Sequence, residues 1–362
     1  MINEKTEELC LVVTERCNLN CSYCQSNKQF SHTMSIACAK EYIDKYLHVS
    51  MVPKPSITFM GGEPFVAFKT IKEIVSYVKQ CYPQKEVSFT IVTNGTLVHG
   101  EIQRWIKENE NCLQITLSLD GVEESHNLNR CNSFRLIDID FFKSLRKPII
   151  NSVFTSNTIQ DMSCNLKELH KHNFLIKGFI ADGEQWSKQS IDILATQLFS
   201  MIEYYLDNPH IQPFSLLSLP IYQLTTNKSI KRCGTECFYE VSISADGKEY
   251  ACHRCTPFEN NGTWKIPQKY LTLTNARFLL DDCIGCPFDR ICNACPASNA
   301  SLKDNLEMAL INCQIRKLLF KANAYFYLRM LTSENDYVAL NYFPDKKKKH
   351  MIQSSRIILE LL

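Results

Sequence analysis

With 362 residues and 45% hydrophobic content, the chain is long enough to bury a large core in one big domain or two. A formal net charge of +2 gives no electrostatic case for nucleic acid, and no apolar run approaches the roughly 18 residues a membrane span needs. Met1 to Glu8 is polar and charged, unlike a secretory signal, so the expected location is the cytoplasm, where the 18 cysteines point to metal or redox chemistry and not to disulfides.

The apolar run Leu9–Thr14 predicts a buried strand. Similar runs recur at Ser56–Met60, Val87–Thr93, Leu113–Leu119, Ile149–Thr155 and Leu175–Ala181. Amphipathic stretches between them predict helices over Ser35–Val49, Thr70–Cys81, Gly100–Glu108, Asp138–Leu145 and Asp161–His172, with Ile191–Leu206 after the last. Six strand-then-helix units in a row predict an α/β fold, a parallel sheet with helices packed outside. Eight units close a TIM barrel, so six predict an open, partial (β/α)6 barrel over residues 1–225. In such folds the chemistry sits where strands end and loops begin.

The composition changes after about Ile230. Nine cysteines fall between Cys233 and Cys313, among Pro, Gly and Asn, so residues 226–315 are expected to fold around metal. Val241–Ser244 and Glu249–Ala251, flanking an Asp246-Gly247 turn, predict a hairpin that presents Cys252. Gln314–Thr332 predicts an amphipathic helix, and a polar tail with a solvated Lys346–Lys349 run completes residues 316–362.

Seven cysteines lie off any pattern: Cys10, Cys38, Cys81, Cys112, Cys131, Cys164 and Cys255. At least six of them are expected to be small buried hydrophobes. The other eleven are clustered. Cys17, Cys21 and Cys24 follow the first strand as Cys-x3-Cys-x2-Cys. Zinc usually takes paired Cys-x2-Cys knuckles and four protein ligands. Three thiolates suit three irons of a cubane and leave the fourth iron for a small-molecule ligand.

This triplet, with Tyr23 before its last cysteine, resembles the signature of the radical S-adenosylmethionine (SAM) superfamily. Gly61-Gly62-Glu63-Pro64, Thr93-Asn94-Gly95 and Ser118-Leu119-Asp120-Gly121 follow the second, third and fourth strands, with His126 and Arg130 close behind. The resemblance implies that Gly61, Gly62, Glu63, Pro64, Asn94, Ser118, Asp120 and Arg130 contact SAM or line the substrate cavity. Glu63 is expected to accept from the methionyl ammonium and Arg130 to pair with the carboxylate. Asn157 is a weaker candidate after the fifth strand. The implied chemistry is one-electron cleavage of SAM by a [4Fe–4S] cluster, giving a 5′-deoxyadenosyl radical that abstracts hydrogen.

Cys237-x9-Gly247-x4-Cys252, then Cys283-x2-Cys286-x5-Cys292-x2-Cys295 and Cys313, resembles the SPASM extension of some radical SAM enzymes. In that family the last short spacing is usually three residues, where two separate Cys292 from Cys295 here. The resemblance implies two auxiliary [4Fe–4S] clusters. One takes Cys237, Cys252 and Cys295, with Cys233, His253 or Cys255 as its fourth ligand. The other takes Cys283, Cys286, Cys292 and Cys313. Two structural zinc sites are the alternative that spacing alone leaves open.

Enzymes of this type mostly act on peptides, so the expected activity is maturation of a ribosomally made peptide, with a crosslink or other modification installed. The expected partners are a peptide substrate with a leader sequence and an external flavodoxin- or ferredoxin-type electron donor. Sixteen residues precede Cys17, fewer than a leader-binding domain needs, so a separate leader-binding partner is also expected. An anaerobic sulfatase-maturating enzyme is the alternative, though His253 stands where that branch carries an acidic base. An iron–sulfur redox sensor or scaffold is the non-enzymatic alternative. No catalytic base is assigned; Asp246, His253 and Glu259 are the conceivable groups, each read first as a solvated loop residue.

Overall fold

The computed structural model describes residues 2–182, 184–226, 239–260, 283–295, 297–298, 305–341 and 343–362. Two of the expected ligands, Cys233 and Cys237, lie outside the described residues.

All six strand-then-helix units are present in chain order. They comprise β1 (Glu8–Thr14), α1 (Ile36–Val49), β2 (Ser56–Gly61), α2 (Phe68–Cys81), β3 (Ser88–Thr93), α3 (Glu101–Asn109) and β4 (Leu113–Ser118). Two short helices follow, α4 (Glu123–Asn129) and α5 (Ile139–Lys143), then β5 (Ile149–Phe154), α6 (Met162–Lys171), β6 (Leu175–Ile180) and α7 (Lys188–Asp207). The expected hairpin is β7 (Glu240–Ile243) and β8 (Glu249–Tyr250), and two helices close the chain, α8 (Leu306–Leu331) and α9 (Asp345–Leu361).

The chain divides into two compact units, each assembled from separate segments. The first holds residues 1–119, 126–149 and 233–276. Its strands run in the order β4-β3-β2-β1-β7-β8, parallel from β4 to β7, with β8 antiparallel at the edge. Leu9, Leu11 and Val13 on β1 and Ile57 and Phe59 on β2 are wholly buried, the near-continuous apolar strands that a covered parallel sheet requires. Helix α1 starts at Ser35, whose side chain accepts from the Cys38 N–H, and it buries Ala39, Ile43, Tyr46 and Leu47 at helical spacing.

The second unit holds residues 120–125, 150–232 and 277–362. Within it Leu194, Leu198, Met201, Ile202 and Tyr205 of α7 are buried. Asn323 of α8, itself wholly buried, donates to the carbonyls of Leu216 and Leu319 and accepts from the Leu219 N–H.

Three expectations need correction. The C-terminal segment is not a polar tail: α9 packs against α8, with Met351, Ser354, Ser355 and Ile358 buried. Two of those four are serines, so the apolar periodicity that marks a helix was absent. Helix α8 begins at Leu306, ahead of the expected Gln314, because Asn305 caps it. Its first turns leave Leu306 and Leu310 exposed, which weakens the periodic signal there. Finally, of the seven off-pattern cysteines only Cys10 and Cys255 are buried. Cys38 and Cys112 are half-buried, while Cys81, Cys131 and Cys164 are exposed at a helix end, in a loop and on an outer helix face.

Candidate metal centre

Cys17, Cys21 and Cys24 lie on the loop that leaves β1, and all three are half-buried. The base of this loop is closed by a bridge from Thr14 to Thr33. Buried Glu15 reinforces it, its carboxylate 2.6 Å from His32 Nδ1 and accepting from the His32 N–H. Farther along, Ser22 N–H donates to the Asn129 carbonyl, the Arg130 guanidinium stands over the Tyr23 ring at 5.3 Å, and Cys131 Sγ donates to the Asn20 carbonyl. Asn18, between the first two cysteines, links to the end of β3. It accepts from Asn94 Nδ2 at 2.9 Å and donates to Thr96 Oγ1 at 2.7 Å.

The thiols are placed to become ligands. The Leu19 N–H points at Cys17 Sγ (3.4 Å), and Lys28 Nζ lies 3.7 Å from Cys24 Sγ. Burial raises the Cys17 thiol above its ordinary pKa, against the pull of that N–H and of Lys28. A bound cation is what holds such a thiol as thiolate.

Gly61 and Gly62 serve the chain itself. An added Cβ would fall 2.0 Å from the Thr14 carbonyl oxygen at Gly61 and 2.4 Å from that of Arg16 at Gly62. Only glycine lets β2 end this close to the start of the cysteine loop. Gly62 and Glu63 then donate their N–H groups to those two carbonyls, both at 2.9 Å. Pro64 opens a short turn into α2. The Glu63 carboxylate is buried and already holds three donors: Thr93 Oγ1 at 2.7 Å, Asn94 N–H at 2.7 Å and Phe65 N–H at 3.1 Å. Burial pushes its pKa up to about 6, although those donors and Arg130 work the other way.

Ser118 closes β4 and is buried. Asp120, also buried, accepts from the Val153 N–H at 2.9 Å within the second unit. His126 is wholly buried, bonded to Ser133 and edge-on to Phe134. Asn157 is exposed on a turn. Asn18, Thr96 and Lys28 were missed by sequence reasoning because no spacing rule marks them.

Of the later cysteines, Cys283, Cys286, Cys292 and Cys313 come together in the second unit. Burial raises Cys292 and Cys313, and each also feels the charge of the other cysteines in the group. Local turns hold the segment: Cys286 N–H donates to Cys283 O, and Cys292 N–H to Phe288 O. Cys313 is supplied by α8. In the first unit, Cys252 Sγ lies 3.5 Å from Cys255 Sγ, and both are buried. Cys255 is thus the neighbour the structure gives Cys252. Cys295 is half-buried in the other unit.

Donor spacing distinguishes a single ion from a larger centre. Thiolates about 2.3 Å from one tetrahedral zinc lie under about 4 Å from each other. Among the described residues, the group of three such donors within 4.8 Å of one another is Cys10, Glu240 and His253.

The site is thus a loop that leaves a parallel strand and carries three half-buried thiols. Residues 11–144 match the radical SAM superfamily, and the chain carries a radical SAM domain. It is similar to the radical SAM cyclopropyl synthase TigE of Paramaledivibacter caminithermalis, 24% identical over 71% of this chain and 60% of that protein. It is also similar to a cysteine-type anaerobic sulfatase-maturating enzyme of Clostridium perfringens, 30% identical over 45% of this chain and 48% of that one. The chain thus spans about half the length of these relatives.

Among solved structures, anSMEcpe with bound AdoMet and Cp18Cys peptide aligns with a TM-score of 0.66 at 22% identity, over 88% of this chain and 96% of that one. Streptococcus suis SuiB bound to precursor peptide SuiA aligns with a TM-score of 0.56 at 15% identity, over 81% and 72%. The fold is theirs: mostly parallel α/β.

Proposed function

We propose that the chain is a radical SAM peptide maturase with a SPASM-type C-terminal region. The observation that carries this reading is the Cys17-Cys21-Cys24 loop, clasped to the ends of β2 and β3 by Gly61, Gly62 and Asn94. Cys17, Cys21 and Cys24 hold a [4Fe–4S] cluster, and SAM occupies its remaining iron. The Cys283, Cys286, Cys292 and Cys313 group holds an auxiliary cluster, and Cys252, with Cys255 beside it, belongs to the site of a second. With cluster and SAM in place, the chemistry supplied is one-electron cleavage of SAM and hydrogen abstraction from carbon.

The chain's own work is positional. Asn18 and Asn94 fix the loop against β3, Arg130 and Tyr23 stack beside it, and Lys28 supplies positive charge at Cys24. The expected contacts of Gly61, Gly62, Glu63, Pro64, Asn94, Ser118, Asp120 and Arg130 with SAM belong to this reading. The Glu63 carboxylate already holds three donors, and the Gly62 and Glu63 N–H groups are committed to Thr14 and Arg16, so a methionyl ammonium would share the carboxylate oxygens with those donors. A peptide as substrate is supported by the peptides bound in both solved neighbours. A low-potential electron donor and a leader-binding partner complete the reading.

Incubation with SAM, a reductant and a peptide encoded beside the gene is expected to yield 5′-deoxyadenosine and a peptide of altered mass. SAM cleavage with no mass change in any neighbouring peptide would remove the substrate class. Full cleavage by a Cys24→Ala variant would remove the cluster assignment. The likeness to the sulfatase-maturating enzyme favours a second reading, oxidation of a cysteine or serine in a sulfatase. A sulfatase-derived peptide in the same assay separates the two.

A further inference from the structure

One group of donor atoms stands apart from the cysteine ligands, and it gives His253, weighed above as a fourth ligand beside Cys252, a different set of partners. Cys10 is in the middle of β1, wholly buried between Leu9 and Leu11. In the parallel register, Cys10 faces Ser242 of β7, one pair along from Glu8 and Glu240. Side chains on a strand alternate with period two, so Glu240 and Ser242 share the sheet face that carries Cys10. His253, just past β8, turns its ring onto this face, with Nδ1 3.4 Å from Glu240 Oε1.

We propose that Cys10, Glu240 and His253 form a mononuclear zinc site, separate from the iron–sulfur centres. The three donor atoms, one sulfur, one nitrogen and one oxygen, lie within 4.8 Å of each other. That donor set is one zinc accepts, with water in the fourth position. His253 Nδ1 and Glu240 Oε1 already pair at 3.4 Å, and two donors about 2.0–2.1 Å from one ion sit about 3.3 Å apart, so zinc could be taken up between them with little movement. Ser242, wholly buried on the same face, places its hydroxyl against the Cys10 thiol. Zinc there would tie β1, β7 and the turn after β8 at one point while keeping one position for water.

Metal analysis of the iron-loaded protein supplied with one equivalent of zinc tests this. The expected result is one zinc per chain beyond the iron. Zinc-edge X-ray absorption should show a first shell mixing one sulfur with nitrogen and oxygen. Cys10→Ser is expected to weaken zinc binding by at least about tenfold and to leave iron content unchanged. Should that buried variant fail to fold, Glu240→Gln, at a part-exposed position, is expected to show the same loss. No zinc retained by the wild type, an all-sulfur shell, or unchanged zinc in either variant would overturn the site. The readout is metal content, so it stands whether or not SAM cleavage is observed.

Discussion

The peptide units of Gly62 and Arg16 touch so closely that residue 62 has no room for a side chain. A Cβ there falls 2.4 Å from the Arg16 carbonyl oxygen, which is the acceptor of the Glu63 N–H. Arg16 immediately precedes Cys17, so whatever moves it moves the first thiol. Gly62→Ala is therefore expected to lose about 1–3 kcal/mol of stability, as overpacking does, and to bind less iron at the N-terminal loop. Urea unfolding together with iron analysis checks it; a wild-type midpoint and full iron would refute the relationship.

Glu63 gives a pH signature. Its carboxyl sits at about 6 in the folded chain, against 4.5 for the free group, because it is buried. A raised acid favours the fold below its unfolded pKa and loses that contribution as pH climbs through the folded value. The shift corresponds to about 2 kcal/mol. Glu63→Gln removes the titration, so the stability of the variant relative to wild type is expected to rise by about 2 kcal/mol between pH 4.5 and just above 6. Unfolding curves across that range measure it, and a flat difference would contradict the assignment.

In the second unit, buried His170 has the opposite dependence. Its Nε2 is 2.7 Å from the Tyr205 hydroxyl, and burial pulls its pKa down to about 4 from the usual 6.5. The stability it carries is complete above pH 6.5 and lost as pH falls through 4, about 3 kcal/mol in all. His170→Gln is expected to lack this component, although it costs some packing at every pH. Equal acid sensitivity of both proteins would show that the ring is not held neutral.

Much of the fold was readable in advance for an identifiable reason. The strands of a covered parallel sheet are short apolar runs, and here each is bounded by turn residues or by an amphipathic helix. The Asp246-Gly247 turn likewise announced its hairpin, and Gly247 has φ of +83°, which suits glycine. What stayed hidden is pairing that leaves no local trace. Nothing in Glu240–Ile243 says that its partner is β1, and nothing in Asn18 says that it reaches Asn94. The resemblance places Gly61 and Gly62 beside SAM; within the chain their nearest neighbours are the carbonyls of Thr14 and Arg16, which no spacing in the sequence marks. Helix α9 was missed because Ser354 and Ser355 fill positions where an apolar stripe would have shown it.

Cys313 tests whether the quartet in the second unit acts as one centre. It is the member contributed by α8, far along the chain from Cys283. Cys313→Ala is expected to lose about four irons per chain, one cubane. Cys112→Ala is the control: its thiol is half-buried and donates to the Asn109 carbonyl, and iron should be unchanged. Full iron content in the Cys313 variant would dissolve the quartet.

The parallel pairing of β7 with β1 has a consequence for biosynthesis. Glu8 finds Glu240, and Leu11 finds Ile243, across more than two hundred intervening residues. Until the ribosome has delivered that stretch, β1 carries an unpaired outer edge, a surface prone to wrong associations. Closing so long a loop is also slow. The N-terminal thiols emerge early but reach their finished surroundings only when the chain is two-thirds made. Iron delivered before then would meet a ligand loop on an incomplete sheet, so loading once β7 has emerged, and not earlier, is the order that this topology favours.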